Sequence, residues 1–227
     1  MRETSNRRAH RHARPKVAVD TVLFAISDGG LRSYLVPIKS GPLLGKWAFP
    51  GGLVREGEKL DEAARRQLQS FTGLSEVYLE QLFTFGDPPR DPNSHVVSVA
   101  YMALIPDARA VKSAPGDNPA GKWFAISALP ALAYDHTLMA DYAMKRLKSK
   151  LEYTNIAYSL LPEEFTFAEL EAIYATILNR PIDRRNFRRR IMAMGLLRKS
   201  RSTRRGPHRP AALYSFTRQS LQTIEML

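Results

Sequence analysis

Five of the seven residues from Arg184 to Arg190 are arginines, in the run RRNFRRR, with no acid among them. An exposed helix face normally mixes both signs to relieve repulsion, and this run has no such relief of its own. Phosphate groups would supply it, because guanidinium groups bind them through paired hydrogen bonds. A second cluster has the opposite sign. Glu56, Glu58, Asp61 and Glu62 follow the turn signal Pro50-Gly51-Gly52. Carboxylates are the ligands that a hard divalent cation takes. Arg66 stands eight residues beyond Glu58, and a salt bridge tying a helix to its preceding loop is the simpler reading of that pair.

The net charge of +12 is unevenly spread. Residues 1–16 hold six Lys/Arg against one acid, and residues 179–209 hold twelve against Asp183 alone, whereas residues 17–178 carry more acids than bases. Basicity gathered at two places favours a polyanion as partner over general solvation of the surface. Cysteine is absent, which excludes disulfides, thiolate metal sites and cysteine nucleophiles and makes a reducing cytoplasm the expected location. No apolar run approaches the roughly 20 residues of a membrane span. The run VAVDTVLFAI is short, contains Asp20 and alternates like a strand. The basic start leads into it without a small-residue cleavage site, so a secretory signal is not expected.

Two strands are expected around the turn Ser27-Asp28-Gly29-Gly30, then a helix from about Glu58 to Phe71 that Gly73 stops. VYLEQLFTFG, HVVSVAYMALI and GKWFAISALP read as further strands, and DHTLMADYAMKRLKSKLEY as a closing helix. Beyond residue 150 the pattern changes. Thr166 and Glu169 form a capping box ahead of a helix that buries Leu170, Ile173, Tyr174 and Ile177. Asp183 caps a second helix that turns Phe187, Ile191 and Met194 inward, and Gly195 ends it. LLRKS and AALYSF follow as two strands around a basic tip. Helix, turn, basic helix and β-ribbon describe a winged helix-turn-helix. The expected organisation is a basic flexible arm (1–16), a ligand-sensing domain (17–150) and a DNA-binding domain (151–227).

The stretch from Gly52 through Glu58 and Arg66 to Gly73-Leu74 resembles the Nudix box. The segments GDPPRDPNSHVVSVAYMALIP, DHTLMADYAMKRLKSKLEYTNIAYSLLPEEFTFAELEAIY and RPAALYSF extend the resemblance to the NrtR family of transcriptional regulators. The resemblance implies an α+β fold: a Nudix-like α/β/α sandwich domain followed by a winged helix-turn-helix. It implies a homodimeric repressor of NAD synthesis or salvage genes that binds operator DNA and senses ADP-ribose or a related NAD derivative. Three glutamates of the family box bind divalent metal, and Gln67, Ser70 and Phe71 stand at those positions here. An amide, a hydroxyl and a phenyl ring do not replace three carboxylates, so no metal site, no catalytic residue and no required cofactor are expected.

Candidate effector-binding residues are the cations Lys39, Arg66 and Arg90 and the rings of Trp47 and Tyr101. Arg90→Ala is expected to weaken ADP-ribose binding without unfolding the domain. On the DNA side, Arg185, Asn186 and Arg189 suit base edges. Arg184, Arg188, Arg190, Arg204, Arg205, His208 and Arg209 complete the basic surface, mostly as phosphate contacts. Two alternatives stay open: a bifunctional ADP-ribose diphosphatase carrying a DNA-binding module, and a regulator that answers to a sugar such as arabinose.

Overall fold

The computed structural model describes residues 14–111, 120–204 and 210–224. The strand pattern near the start forms the antiparallel pair β1 (Lys16–Ser27) and β2 (Gly30–Pro37). Asp28 and Gly29, both at positive φ, make the turn between them. β3 (Trp47–Ala48) and β4 (Gly51–Leu53) flank Phe49-Pro50. Next come α1 (Leu60–Thr72), β5 (Tyr78–Phe85), β6 (Val96–Ile105) and β7 (Lys122–Ala125). Gly73, at φ 73°, ends α1 in the left-handed conformation that the sequence assigns to it.

These strands form one sheet with the path β3-β2-β1-β6-β5, to which β4 adds beside β1 and β7 beside β2. The central pair β1 and β6 is parallel, and the other pairings are antiparallel. Strand alternation divides the side chains between two faces. Val22 and Phe24 of β1 and Ala100, Met102 and Leu104 of β6 pack with α2 (His136–Tyr153). Val19, Val99 and Tyr101 pack with Ala63 and Ala64 of α1, while Leu23, Ala25, Ala103 and Ile105 pack with Leu68. The first domain is therefore a sheet between helical layers.

A 3₁₀ turn, Ile156–Leu160, leads from α2 into the second domain. That domain consists of β8 (Phe165–Thr166), α3 (Phe167–Leu178), α4 (Arg184–Ala193), β9 (Leu197–Arg204) and β10 (Ala211–Phe216). The small sheet runs β8-β10-β9. Thr166 Oγ1 accepts from the Glu169 amide at 3.2 Å, and the Glu169 carboxylate accepts from the Thr166 amide at 2.7 Å, completing the capping box. Leu170, Ile173, Tyr174 and Ile177 are buried and meet Phe187 and Ile191 from α4. Met194 is only partly buried against that core, and Gly195 takes φ 64° just beyond α4.

The core is continuous from the α2 face of the sheet into this second domain. The chain after β10 also returns to the junction. The Asn155 amide nitrogen donates to the Ser220 carbonyl at 3.0 Å, its side-chain oxygen accepts from the Gln222 amide at 2.7 Å, and the Ile224 amide reaches the Tyr153 carbonyl at 2.7 Å. The end of α2 is thus clasped by the tail of the winged domain. No helix among the described residues is long and apolar enough to cross a membrane.

Candidate effector pocket and nucleic-acid interface

At the Val96 end of β6 a cavity of about 290 Å³ opens between the sheet, the β3–β4 loop and the start of α2. Lys39, exposed two residues past the end of β2, lines its mouth and makes no salt bridge among the described residues. Its floor is polar and densely bonded. Asp20 lies on β1, where the Ser98 hydroxyl donates to its carboxylate. Arg90 grips Asp135 through two hydrogen bonds, at 2.9 and 2.6 Å, and approaches Asp20 to 3.9 Å. His136 Nδ1 accepts the Phe49 amide proton at 3.0 Å, which places the ring's own N–H on Nε2. Nε2 faces Asp20 from 3.6 Å, beyond ordinary hydrogen-bond reach.

Burial by itself raises the pKa of the Asp20 carboxyl. The facing His136 ring, the hydrogen bonds and Arg90 outweigh burial and hold it below the usual carboxylate range. The sequence packs these groups tightly at Gly51, where a Cβ would overlap both the Asp20 carboxylate and the Val19 carbonyl. Phe71 and Tyr134 add rings to the pocket wall.

Of the expected effector residues, Lys39 and Arg90 line this pocket and Trp47, Arg66 and Tyr101 do not. Tyr101 shares the face of β6 that meets α1, and its hydroxyl donates to Asp61 at 2.6 Å. Trp47 packs edge-to-face on Phe124, with ring centres 4.9 Å apart. Arg66 binds both oxygens of Glu58, at 2.5 and 2.7 Å, and the Leu53 carbonyl at 3.2 Å. Hydrogen bonds from Arg66 and from the Arg55 amide pull the Glu58 carboxyl down to about 2. Arg90 lines the pocket but is committed: its side chain is 3% exposed and doubly bonded to Asp135, which leaves it little freedom to bind an anion directly. Asp20, Tyr134 and His136 escaped the sequence reading. Their signal was an acid inside an apolar strand, and a Tyr-Asp-His run at the start of a helix.

On α1, Gln67 lies against the Gly52 backbone, where a Cβ would overlap its amide. Ser70 donates to the Gln67 carbonyl at 2.8 Å, and Phe71 packs beside Leu68. These three side chains offer a divalent cation no carboxylate, so they do not fit a metal at those positions. Among the described residues no group of three or more His, Cys, Asp and Glu comes together to hold an ion.

The second candidate surface is α4 and the β9–β10 ribbon. Asp183 caps α4, accepting from the Arg185 and Asn186 amides at 3.1 Å each. The Asn186 side chain also donates to Asp183, at 2.6 Å. Arg184 is paired with Glu171 at 2.6 Å, and Arg204 with Glu169. Arg188 lies 4.7 Å from the Phe167 ring centre and donates to the Tyr214 hydroxyl at 2.6 Å, which anchors it to the domain's own core. Arg185, Arg189 and Arg190 are exposed and form no salt bridge among the described residues. Arg205, His208 and Arg209, and residues 1–13 of the basic arm, lie outside the described residues.

Comparison with known proteins places this architecture in a family. The Nudix domain model matches residues 16–146, and the model of the NrtR DNA-binding winged helix domain matches residues 157–216. The ADPR responsive transcriptional repressor NtrR of Acinetobacter baylyi is 34% identical over 209 residues, covering 90% of this chain and 83% of that protein. The chain belongs to the NrtR family. Crystalline Shewanella oneidensis NrtR bound to a 27mer DNA superposes with a TM-score of 0.80 at 33% identity, over 88% of this chain and 93% of the other. The Nudix domain of the same Shewanella protein, in complex with ADP ribose, gives 0.54 at 33% identity over 60% of this chain and 90% of that domain. The ADP-ribose pyrophosphatase of Methanocaldococcus jannaschii is 32% identical over 129 residues, 56% of this chain and 73% of the enzyme. The α+β fold of NrtR, a Nudix domain followed by its winged helix, is the fold of this chain.

Proposed function

We propose that the chain is a cytoplasmic transcriptional repressor of NAD synthesis or salvage genes, with a Nudix domain that serves as receptor for ADP-ribose. Its NrtR relatives respond to ADP-ribose, bind it in the Nudix domain and bind DNA. The observation that carries the reading for this chain is the contrast between the arginines of α4 and the arginine of the box helix. α4 exposes arginines without internal partners, whereas the box helix spends Arg66 on Glu58.

In this reading α4 lies in the major groove, with Arg185 and Arg189 near base edges and Arg190 on phosphate. Asn186 reaches a base only by giving up its bond to Asp183. In the pocket, Lys39 meets the diphosphate and Phe71 and Tyr134 border the adenosine. Asp20 accepts from sugar hydroxyls, and Arg90 acts by holding Asp20 and Asp135 in place.

Coupling runs along α2. His136 at its first turn lines the pocket, and Tyr153 to Asn155 at its end are clasped by the tail of the winged domain. An effector changes operator affinity only through unequal affinity for two arrangements of this connection. The chain acts as a homodimer, since one winged helix reads too short a site for specificity. Phe83 and Tyr142, stacked at 4.6 Å beside exposed Leu138, give the sensor an apolar face suited to a second copy.

The deciding experiment is an operator-binding assay with and without ADP-ribose, NAD and arabinose. A response to ADP-ribose supports this reading, and a response to arabinose alone replaces the effector. The 32% identical pyrophosphatase favours a second reading, an active ADP-ribose diphosphatase. Magnesium-dependent turnover of ADP-ribose tests it directly. Gln67, Ser70 and Phe71 predict little, because nothing in that set neutralises charge developing on a pyrophosphate.

A further inference from the structure

At the other end of β6 from the effector pocket, a cleft of about 670 Å³ lies between the two domains. Tyr78 and Leu104 come to it from the sheet, Tyr158 and Ser159 from the junction turn, and Phe216 from the end of β10. Its walls are rich in rings, with Tyr158 and Phe216 edge-to-face at 6.3 Å. Its rim carries Glu76 and Glu163, both exposed and neither in a salt bridge among the described residues. No Lys, Arg or His lines it, in a chain whose net charge is +12. Ser159 is 8% exposed, and its hydroxyl is buried with no hydrogen-bond partner among the described residues. A buried polar group left without a partner costs free energy until something bonds to it.

Each of these features selects a ligand class. The carboxylates repel nucleotide and nucleic-acid phosphates and attract cations. Aromatic faces hold a planar ring, and hold it more strongly when that ring is positively charged. Ligand sites also favour domain interfaces. We propose that this junction cleft is a second ligand site, distinct from the effector pocket, that takes a planar organic cation with a polar edge for Ser159. Because its walls come from both domains, occupancy fixes their relative placement and so changes operator affinity. That consequence rests on the DNA-binding reading above, whereas the binding itself does not.

The test uses the full chain and 6-amino-1-methylquinolinium as probe, a planar cation whose amino group supplies the polar edge, with 6-aminonaphthalene-2-sulfonate as an anion of matching size. Calorimetry is expected to give saturable binding of the cation and none of the anion. In the double variant Glu76→Gln with Glu163→Gln, cation affinity falls about tenfold as rim charge is lost. ADP-ribose affinity stays unchanged in that variant. Absence of saturable binding, equal binding of the anion, or unchanged cation affinity in the variant overturns the site. Unchanged operator affinity with the cleft saturated overturns the coupling. Failure of the unliganded chain to bind any duplex would instead count against the repressor reading, so the two failures are distinguishable.

Discussion

Arg66 and Arg90 in the sensor and Arg185 and Arg189 in the reading head are the same side chain put to opposite uses. The sensor's pair is consumed internally: Arg66 on Glu58, Arg90 on Asp135 and Asp20. The reading head's pair is exposed and free of salt bridges among the described residues. A charge already spent on a protein carboxylate has little left for a ligand, and one left open repels its neighbours until phosphate arrives. Counting arginines therefore says less about function than finding which acids stand within reach of them.

The largest effect expected from breaking this contrast is on stability. Arg90→Ala leaves Asp135 and Asp20 without their cation in a buried site, at a cost of about 3–5 kcal/mol. Thermal unfolding of the variant should show a large fall in Tm, and an unchanged Tm would mean the pairing contributes nothing to the fold. This replaces the sequence-based expectation that Arg90→Ala weakens ligand binding alone.

Next in size, Arg185→Ala or Arg189→Ala should each cost about 1–3 kcal/mol in operator binding while leaving Tm in place. Fluorescence anisotropy would measure it. With some six phosphates contacted, the log-affinity of the parent chain should fall with log salt at a slope near −5. A flat salt response would remove α4 as the binding surface. Lys39→Ala should weaken ADP-ribose binding by about 1 kcal/mol, as expected for a single exposed cation, with operator affinity of the unliganded chain unchanged. Calorimetry on both ligands would expose any other pattern.

The smallest effect is a pH dependence. Glu58 has its carboxyl lowered from 4.5 to about 2 by Arg66 and the Arg55 amide. A folded-state value below the unfolded one gives stability that is fully present above pH 4.5 and lost as the pH falls toward 2. The Tm gap between the parent chain and Glu58→Gln should therefore narrow over that window. A gap that stays constant would show that the bridge does not titrate with Glu58.

Local signals in the sequence account for most of the fold. Alternation placed the strands, Gly73 ended α1, and Thr166, Glu169 and Asp183 capped the helices of the winged domain as their types require. The site was legible only where chain neighbours suffice, as with Lys39 just past the end of a strand. Strand parity turns Tyr101 away from the pocket: it shares its face with Val99 and Ala103, toward α1. Arg90 and Asp135 stand 45 residues apart, and no spacing rule announces that such a pair will meet. His136 was invisible for the same reason, because its partner, the Phe49 amide, is 87 residues away. Long-range polar pairing decides which charged groups remain free.

The most direct test titrates a labelled operator duplex with the purified chain in magnesium, with and without ADP-ribose, and then analyses the ADP-ribose. The account predicts that ADP-ribose changes operator affinity by about 5–150-fold and is recovered intact. Operator affinity indifferent to ADP-ribose, together with rapid cleavage of the nucleotide, would contradict it.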